Sequence, residues 1–277
     1  MNYFSVACIA KDEELYIEEW VNYHRAVGAD HIYIYDNLSK IPIKQILSKY
    51  IEIGIVTVIE MPGTHIQSTS YNHCLKTFGY LSKWIAFSDV DEFLVPKEKE
   101  TLSETLQEYE QYGGLVANWL FFGSGNLLEK PKGLTIENFI WASERTWCLN
   151  SHIKSIVQPE KTLSVGGDPH WFNYKKPFYA VSESGLKAEG SISHKCESCI
   201  SKQFSEYHNG GQFTTNKIQL NHYYTKSLQE YKIRMARGPA YQDCDRKLEA
   251  FFNVSNICNQ ENKDILKFIN KTKSLYL

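Results

Sequence analysis

Short apolar runs alternate with amphipathic stretches over the first 88 residues. This alternation constrains the fold more than any other feature of the chain. Residues 4–10 (FSVACIA), 31–35 (HIYIY), 55–59 (IVTVI) and 84–88 (WIAFS) have the length and composition of buried strands. Residues 11–28, 42–50 and 68–80 between them read as helices. In the first helix Trp20, Val21, His24 and Val27 share one face, with Glu13, Glu14, Glu18 and Glu19 elsewhere. Acids in its first turns suit the helix dipole, and Gly28 is a natural stop. Pro42 opens the second helix. Strand and helix in strict turn predict an α/β fold, a Rossmann-like, mostly parallel sheet with helices on both faces. Ligands of such sheets sit beyond the carboxyl ends of the strands. Ala10-Lys11, Asp36-Asn37, residues 61–65 and residues 89–92 should therefore converge on one crevice.

At 277 residues the chain can bury a sizeable core. A net charge of −2 gives no electrostatic basis for a nucleic-acid partner. No run of about 18 apolar residues is present, so no membrane-spanning helix is expected. The first residues, MNYFSV, lack the basic and apolar regions of a signal peptide. Seven scattered cysteines fit reduced thiols and a cytoplasmic location, with peripheral association at the inner face of a membrane left open. Cys196 and Cys199 with His194 form half of a zinc pattern, but no second ligand pair stands out, so zinc is not expected.

Beyond residue 95 the pattern loosens. Residues 101–112 read as a helix with a capping box from Thr101 to Glu104, and 114–122 as a strand. Residues 123–215 hold short apolar pieces among Gly, Pro, Ser and charged residues. Helices are expected at 227–237, 243–252 and 264–270. The reading is one catalytic domain over 1–240, with a nucleotide-binding half (1–95) and a less regular acceptor-binding half (96–240), followed by a helical extension (241–277).

The acidic run after the fourth strand carries the chemistry. Asp89, Asp91 and Glu92 fall within four positions, flanked by Trp84–Phe87 and Phe93-Leu94. Carboxylates that close resist burial unless a cation offsets them. Oxygen ligands at a strand end suit Mg²⁺ or Mn²⁺, which commonly grips a diphosphate. Glu92 reads as a supporting group, since Phe93 and Leu94 lead back into the fold. A second cluster, Asn221-His222 through Lys226-Ser227, offers an imidazole for the metal and an ammonium for phosphates. A third, Gly166 to Phe172, places Asp168 and His170 in a Gly-bordered loop. It reads equally as an acceptor subsite or as a tight turn around Trp171. Trp119 with Ser124 is a fourth, able to edge a sugar pocket or to fill core. Lys154, like Lys195 and the Lys175-Lys176 pair, reads as a solvated surface charge, although its place in the strand-like run 151–157 would also let it point into the crevice.

Taken in order, these motifs resemble the glycosyltransferase family 2-like and family 92 enzymes, the domain-of-unknown-function-23 group. The pattern runs Lys11-Asp-Glu13, Glu19-Trp20 to His24, Gly28, Tyr33 to Asp36-Asn37, Trp84 to Asp89-Val-Asp91-Glu-Phe-Leu, Phe122-Gly-Ser124-Gly, Asn221-His222 to Lys226-Ser and Arg237-Gly238, covering residues 3–240. The resemblance implies a GT-A fold, a nucleotide-sugar donor, a divalent cation held at an Asp-x-Asp motif and inverting transfer. It maps the motif acids onto Asp89 and Asp91, the C-terminal histidine onto His222 and the basic residue onto Lys226. A UDP-sugar, with galactose as the family's guess, and a glycan or lipid-linked glycan acceptor of bacterial surface polysaccharide or lipopolysaccharide assembly complete the implied reaction. Asp12 stands where the family usually has Asn, and one Ser follows Phe122-Gly123 where it often has two.

The expected mechanism is metal-assisted transfer. Asp89, Asp91 and His222 hold the cation and Lys226 supports the leaving group. Asp36, Asn37 and the backbone near Ala10 and Lys11, with Glu13, Gln67 and Asn72, hold the nucleoside. Asp168 takes the acceptor proton, with Glu144 as second choice, and Trp119, Ser124 and His170 meet the acceptor. Two alternatives stand beside it: a phosphatase with Asp89 as nucleophile, and a nucleotide- or glycan-binding protein with a degenerate site.

Overall fold

The computed structural model describes residues 1–188, 214–237 and 247–277. Strands β1 (Asn2–Ala10), β2 (His31–Asp36), β3 (Val56–Glu60) and β4 (Ser82–Phe87) pair in parallel in the order β3-β2-β1-β4. Helix α1 (Ile17–Ala26) follows β1, α2 (Ile43–Ile46) and α3 (Ser48–Glu52) follow β2, and α4 (Gln67–Phe78) follows β3. Phe4, Val6, Ala7 and Cys8 are all buried, so β1 is covered on both faces, which is why it is a continuous apolar run. Registers of Ala10 with Asp36 and of Asp36 with Glu60 bring the strand ends level, as the alternation predicts.

Three details of this half differ from the periodic reading. Helix α1 starts six residues late, because residues 11–16 form turns in which Asp12 takes φ 51°. Glu19 is buried rather than solvated; its carboxylate accepts the Thr135 and Ile136 N–H groups at 2.9 and 3.1 Å. The 42–50 helix is two short pieces divided at Leu47. Gly28 does follow the helix end, at φ 105°, and an added Cβ would come 3.0 Å from Thr101 Cβ.

After β4 the chain builds a mixed extension. It runs through β5 (Glu92–Pro96), α5 (Leu102–Leu106), β6 (Gly114–Phe121), α6 (Thr135–Asn138), β7 (Trp141–Ala142), β8 (Ile153–Val157), β9 (Thr162–Val165), β10 (Phe172–Tyr174), β11 (Ala180–Val181), β12 (Lys187–Ala188) and β13 (Ile218–His222). Strand β8 inserts between β4 and β6, antiparallel to both. Strand β13 runs parallel to β6 and antiparallel to β5, setting His222 opposite Phe121 and Glu92. Helix α5 carries the expected capping box of Thr101 and Glu104, but gives way to a 3₁₀ turn at residue 107.

The remaining elements are α7 (Leu228–Arg237), α8 (Leu248–Ile257), β14 (Gln260–Glu261) and α9 (Ile269–Lys273). The extension packs back on the domain. Val254 of α8 and Cys258 just after it join Phe121 and Leu149 in one apolar cluster, and Arg25 of α1 donates to the Leu275 carbonyl at 2.9 Å. The start of the expected 243–252 helix, Lys195 and the Cys196-Cys199 pair with His194 lie outside the described residues.

Candidate active site

Asp89 and Asp91 lie in the turn joining β4 to β5 and Glu92 opens β5, which two side chains of α1 hold. Trp20 Nε1 donates to the Glu92 carbonyl at 3.0 Å and the Tyr23 hydroxyl to that of Leu94 at 2.9 Å. Glu92 then works on the turn itself. Its Oε2 accepts the Asp89 N–H at 2.8 Å and the Ser88 hydroxyl at 3.2 Å. Glu92 is fully buried, and burial together with the neighbouring Asp89 and Asp91 charges pushes its carboxyl up to about 8 against the pull of Lys154. Burial thus disfavours its charged form, and its two bonds to residues 88 and 89 shape the turn.

The two motif acids face different partners. Asp89 is met by Gln67 Nε2 at 2.7 Å and the Tyr71 hydroxyl at 3.4 Å on Oδ1, and by Lys154 Nζ at 2.8 Å on Oδ2. Asp91 Oδ2 lies 2.6 Å from Arg234 Nη2 and 3.4 Å from His222 Nε2. Burial opposes ionisation of both acids, but Lys154 holds Asp89 below the usual carboxylate range, and Arg234 with His222 holds Asp91 well below it. Both acids are thus ionised, each beside its own cation. Both oxygens of Asp89 have protein partners, while a third of its side chain stays exposed.

Of the three expected metal ligands, Asp91 and His222 meet and Asp89 does not join them. Among the described residues no group of three or more His, Cys, Asp or Glu is gathered to hold a metal. Asp91 and His222 still have the donor chemistry for Mn²⁺ or Mg²⁺ as a pair, since such ions commonly complete their shells with water and substrate oxygens. Burial lowers the His222 pKa, and the imidazole must be neutral to act as a ligand.

Helix α7 straps the second cluster to the β1–α1 turn. Arg237 bonds the Lys11 carbonyl at 2.7 Å and pairs with the Glu13 carboxylate. The Tyr16 hydroxyl donates to Glu230 at 2.7 Å, and Lys226 sits over the Tyr16 ring, 3.2 Å from its centroid. Lys226 is only 8% exposed, and burial lowers its pKa. The Lys11 carbonyl and the Glu13 carboxylate thus hold α7.

The other nucleoside candidates are engaged in the scaffold. Asp36 accepts the Ser39 and Ile43 N–H groups at 2.9 and 3.0 Å. Asn37 donates to the Met61 and Gly63 carbonyls at 2.9 and 3.0 Å, and Asn72 accepts the Val165 N–H at 2.8 Å. The Ala10 carbonyl accepts the Asn37 N–H at 2.9 Å. Only Gln67 reaches the acids, through Asp89.

On the acceptor side, the Asp168 carboxylate accepts the His170 N–H at 2.9 Å, and His170 Nδ1–H donates to the Ile153 carbonyl at 2.8 Å, beside Lys154. Burial, with Lys154 nearby, pushes the His170 imidazole down to about 4. Trp119 is not offered as a sugar platform. His152 stacks on it with centroids 4.5 Å apart at 13°, and His222 packs at 4.3 Å. Ser124 is buried, bonded to Ser255 at 2.9 Å, and so is part of the packing of α8. Glu144 is exposed in the turn before Trp147.

Lys154, expected as a solvated surface charge, is instead buried because Asp89 and Glu92 pair with it, and Arg234 was not foreseen. Nothing local marks Arg234, which looks like any arginine of an amphipathic helix. For Lys154 the available signal was its place inside an apolar strand.

The family model described as glycosyltransferase family 92 matches residues 3–223. The galactan beta-1,4-galactosyltransferase GALS3 of Arabidopsis thaliana is 33% identical over 204 residues, covering 66% of this chain and 40% of that protein. The glycosyltransferase family 92 protein RCOM_0530710 of Ricinus communis is 26% identical over 189 residues, covering 65% and 33%. The chain therefore spans a third to two fifths of the length of these plant relatives. Among solved structures, S. aureus TarS 1–349 is similar at 18% identity and a TM-score of 0.39, over 57% of this chain and 47% of that one.

Proposed function

The chain belongs to glycosyltransferase family 92, and from that premise we propose that it transfers a hexosyl group from a UDP-sugar to a glycan hydroxyl with inversion. The observation that carries this reading is the meeting of Asp91, His222 and Arg234 beside Asp89 and Lys154, at the carboxyl ends of β4 and β13. That is where a diphosphate would lie in an open α/β sheet. Galactose is the proposed sugar, because two plant relatives are named galactan beta-1,4-galactosyltransferases.

Asp91 and His222 would hold the divalent cation. When bound, it would supply Lewis-acid stabilisation of the diphosphate leaving group. Arg234 and Lys226, fixed by Asp91 and Tyr16, present positive charge where negative charge develops as the glycosidic bond breaks. Glu92 holds the turn that aims Asp89 and Asp91. Asp168, oriented by the His170 N–H, is the proposed base for the acceptor hydroxyl. Backbone at the ends of β1 and β2, near Ala10 and Asn37, would line the nucleoside pocket.

A reducing, cytoplasmic setting is part of the proposal, on the scattered placing of the seven cysteines in the sequence. No described helix is long and apolar enough to cross a membrane. A place in bacterial surface polysaccharide or lipopolysaccharide assembly draws no support from the plant relatives and is the outermost part of the proposal.

A panel of nucleotide-sugars with and without Mn²⁺, read by thermal unfolding, tests it. Ligand at about 100 times its Kd stabilises the native state by about 2.7 kcal/mol. UDP-galactose should raise the melting temperature, and more so with Mn²⁺. No shift with any nucleotide-sugar defeats the reading.

A further inference from the structure

We propose that Lys154 is a positioning residue that acts through Asp89, holding that carboxylate in the one orientation that meets the donor. The proposal rests on the reading of the crevice as a donor site. Lys154 enters from β8, registered against Ala117 of β6, and its side chain is 2% exposed. A buried ammonium is costly unless paired, and the β8 pairing itself asks for no lysine.

The pairing is directional. Lys154 Nζ lies 2.8 Å from Asp89 Oδ2, while Gln67 and Tyr71 of α4 hold Oδ1. Donors from two separate elements therefore stop rotation of the carboxylate. The main chain is fixed as well, because the Asp89 N–H is bonded to Glu92 Oε2, which lies 3.6 Å from the same ammonium. Asp91 has Arg234 as its own cation, so Lys154 is left to Asp89, at 2.8 Å, and to Glu92, at 3.6 Å. Lys154 itself needs no contact with the donor. It sets the group that makes the contact, and without it the carboxylate keeps only its Oδ1 partners and loses its countercharge.

The test is calorimetric titration of the full chain with UDP in the presence of Mn²⁺, over a double-mutant cycle. Lys154→Met should weaken UDP binding about tenfold or more. In the Asp89→Asn background the same change should cost less than about threefold, because the group it acts through is already altered. Lys154→Gln, polar but uncharged and one bond shorter, guards against misfolding of the Met variant, and its loss should depend on Asp89 in the same way. Wild-type affinity in the Lys154 variants overturns the proposal, and so do losses that multiply in the double variants, since those mean an independent structural role. Absence of UDP binding by the unmodified chain overturns the donor-site reading itself.

Discussion

The two halves of the sheet divide labour unequally. In the parallel half, β1 to β4, the polar residues at the strand ends mostly serve the chain. Asp36 ties down its own loop, Asn37 joins the ends of β2 and β3, and Asn72 anchors β9. In the mixed half, β8, β13 and α7 deliver the groups that confront the acids: Lys154, His222 and Arg234. The regular half therefore builds the crevice and supplies the acids, and the irregular half supplies the countercharges. A site made this way needs both halves folded before its carboxylates are tolerable.

The largest expected effect tests that meeting point. Asp91→Asn keeps the shape of the side chain but removes the charge that Arg234 and His222 face. Transfer should fall by at least about 10²-fold in kcat/KM, the scale of losing one preorganised electrostatic contact. Asp36→Asn, in the parallel half, should leave kcat/KM within about threefold once folded, the scale of a group outside the developing charge. Equal losses from the two would erase the division between the halves.

That division also explains what could be read from the sequence. Periods of 2 and 3.6 are local, so β1 to β4 and the helices between them were legible, as were the acids at the fourth strand end and the Thr101 capping box. His222 and Lys226 were legible by their cluster, but their place was not. The β5–β13 pairing that sets His222 opposite Glu92 joins segments 130 residues apart and leaves no local signal. Burial of Lys154 and Arg234 likewise depends on acids far away in the chain, Asp89 and Asp91. Asp36, Asn37 and Asn72 misled for the opposite reason. Short polar side chains at strand and helix ends are as well suited to bonding nearby backbone as to binding a ligand.

Buried histidines sharpen the comparison through pH. Burial pushes His24 in α1 down to about 4 and His152, just before β8, down to about 3. Both lie below the ordinary value, so the unfolded chain binds the protons. Their stabilisation is complete above about pH 6.5 and is lost as pH falls toward those values. Between pH 6.5 and 5 each should remove roughly 2 kcal/mol. Urea unfolding at pH 7.5 and pH 5 measures this. His24→Gln and His152→Gln should each flatten the decline, and a variant as acid-sensitive as the parent would show that its histidine is not held neutral.

A smaller effect is expected at the Asp36 loop. The carboxylate satisfies two backbone N–H groups, so Asp36→Ala should cost about 2 kcal/mol of unfolding free energy. Nucleotide affinity of the folded protein should be nearly unchanged. A large loss of UDP binding with little loss of stability would return Asp36 to the nucleoside pocket and make the parallel half more than a scaffold.

Ser124 gives the smallest and most pointed contrast, because it lies in the mixed half yet has a scaffold role. Its hydroxyl is buried and shared with Ser255 of α8, 2.9 Å away, and accepts the Asn126 N–H at 3.2 Å. Ser124→Ala removes neutral hydrogen bonds only, worth about 1 kcal/mol in net stability. The acceptor KM should not move, since no face of the hydroxyl is left over for a sugar. A stability loss of that size with an unchanged KM would place the boundary between scaffold and site inside the mixed half, between β6 and β8. A raised KM at unchanged stability would instead extend the acceptor region to the start of the Gly123–Gly125 turn.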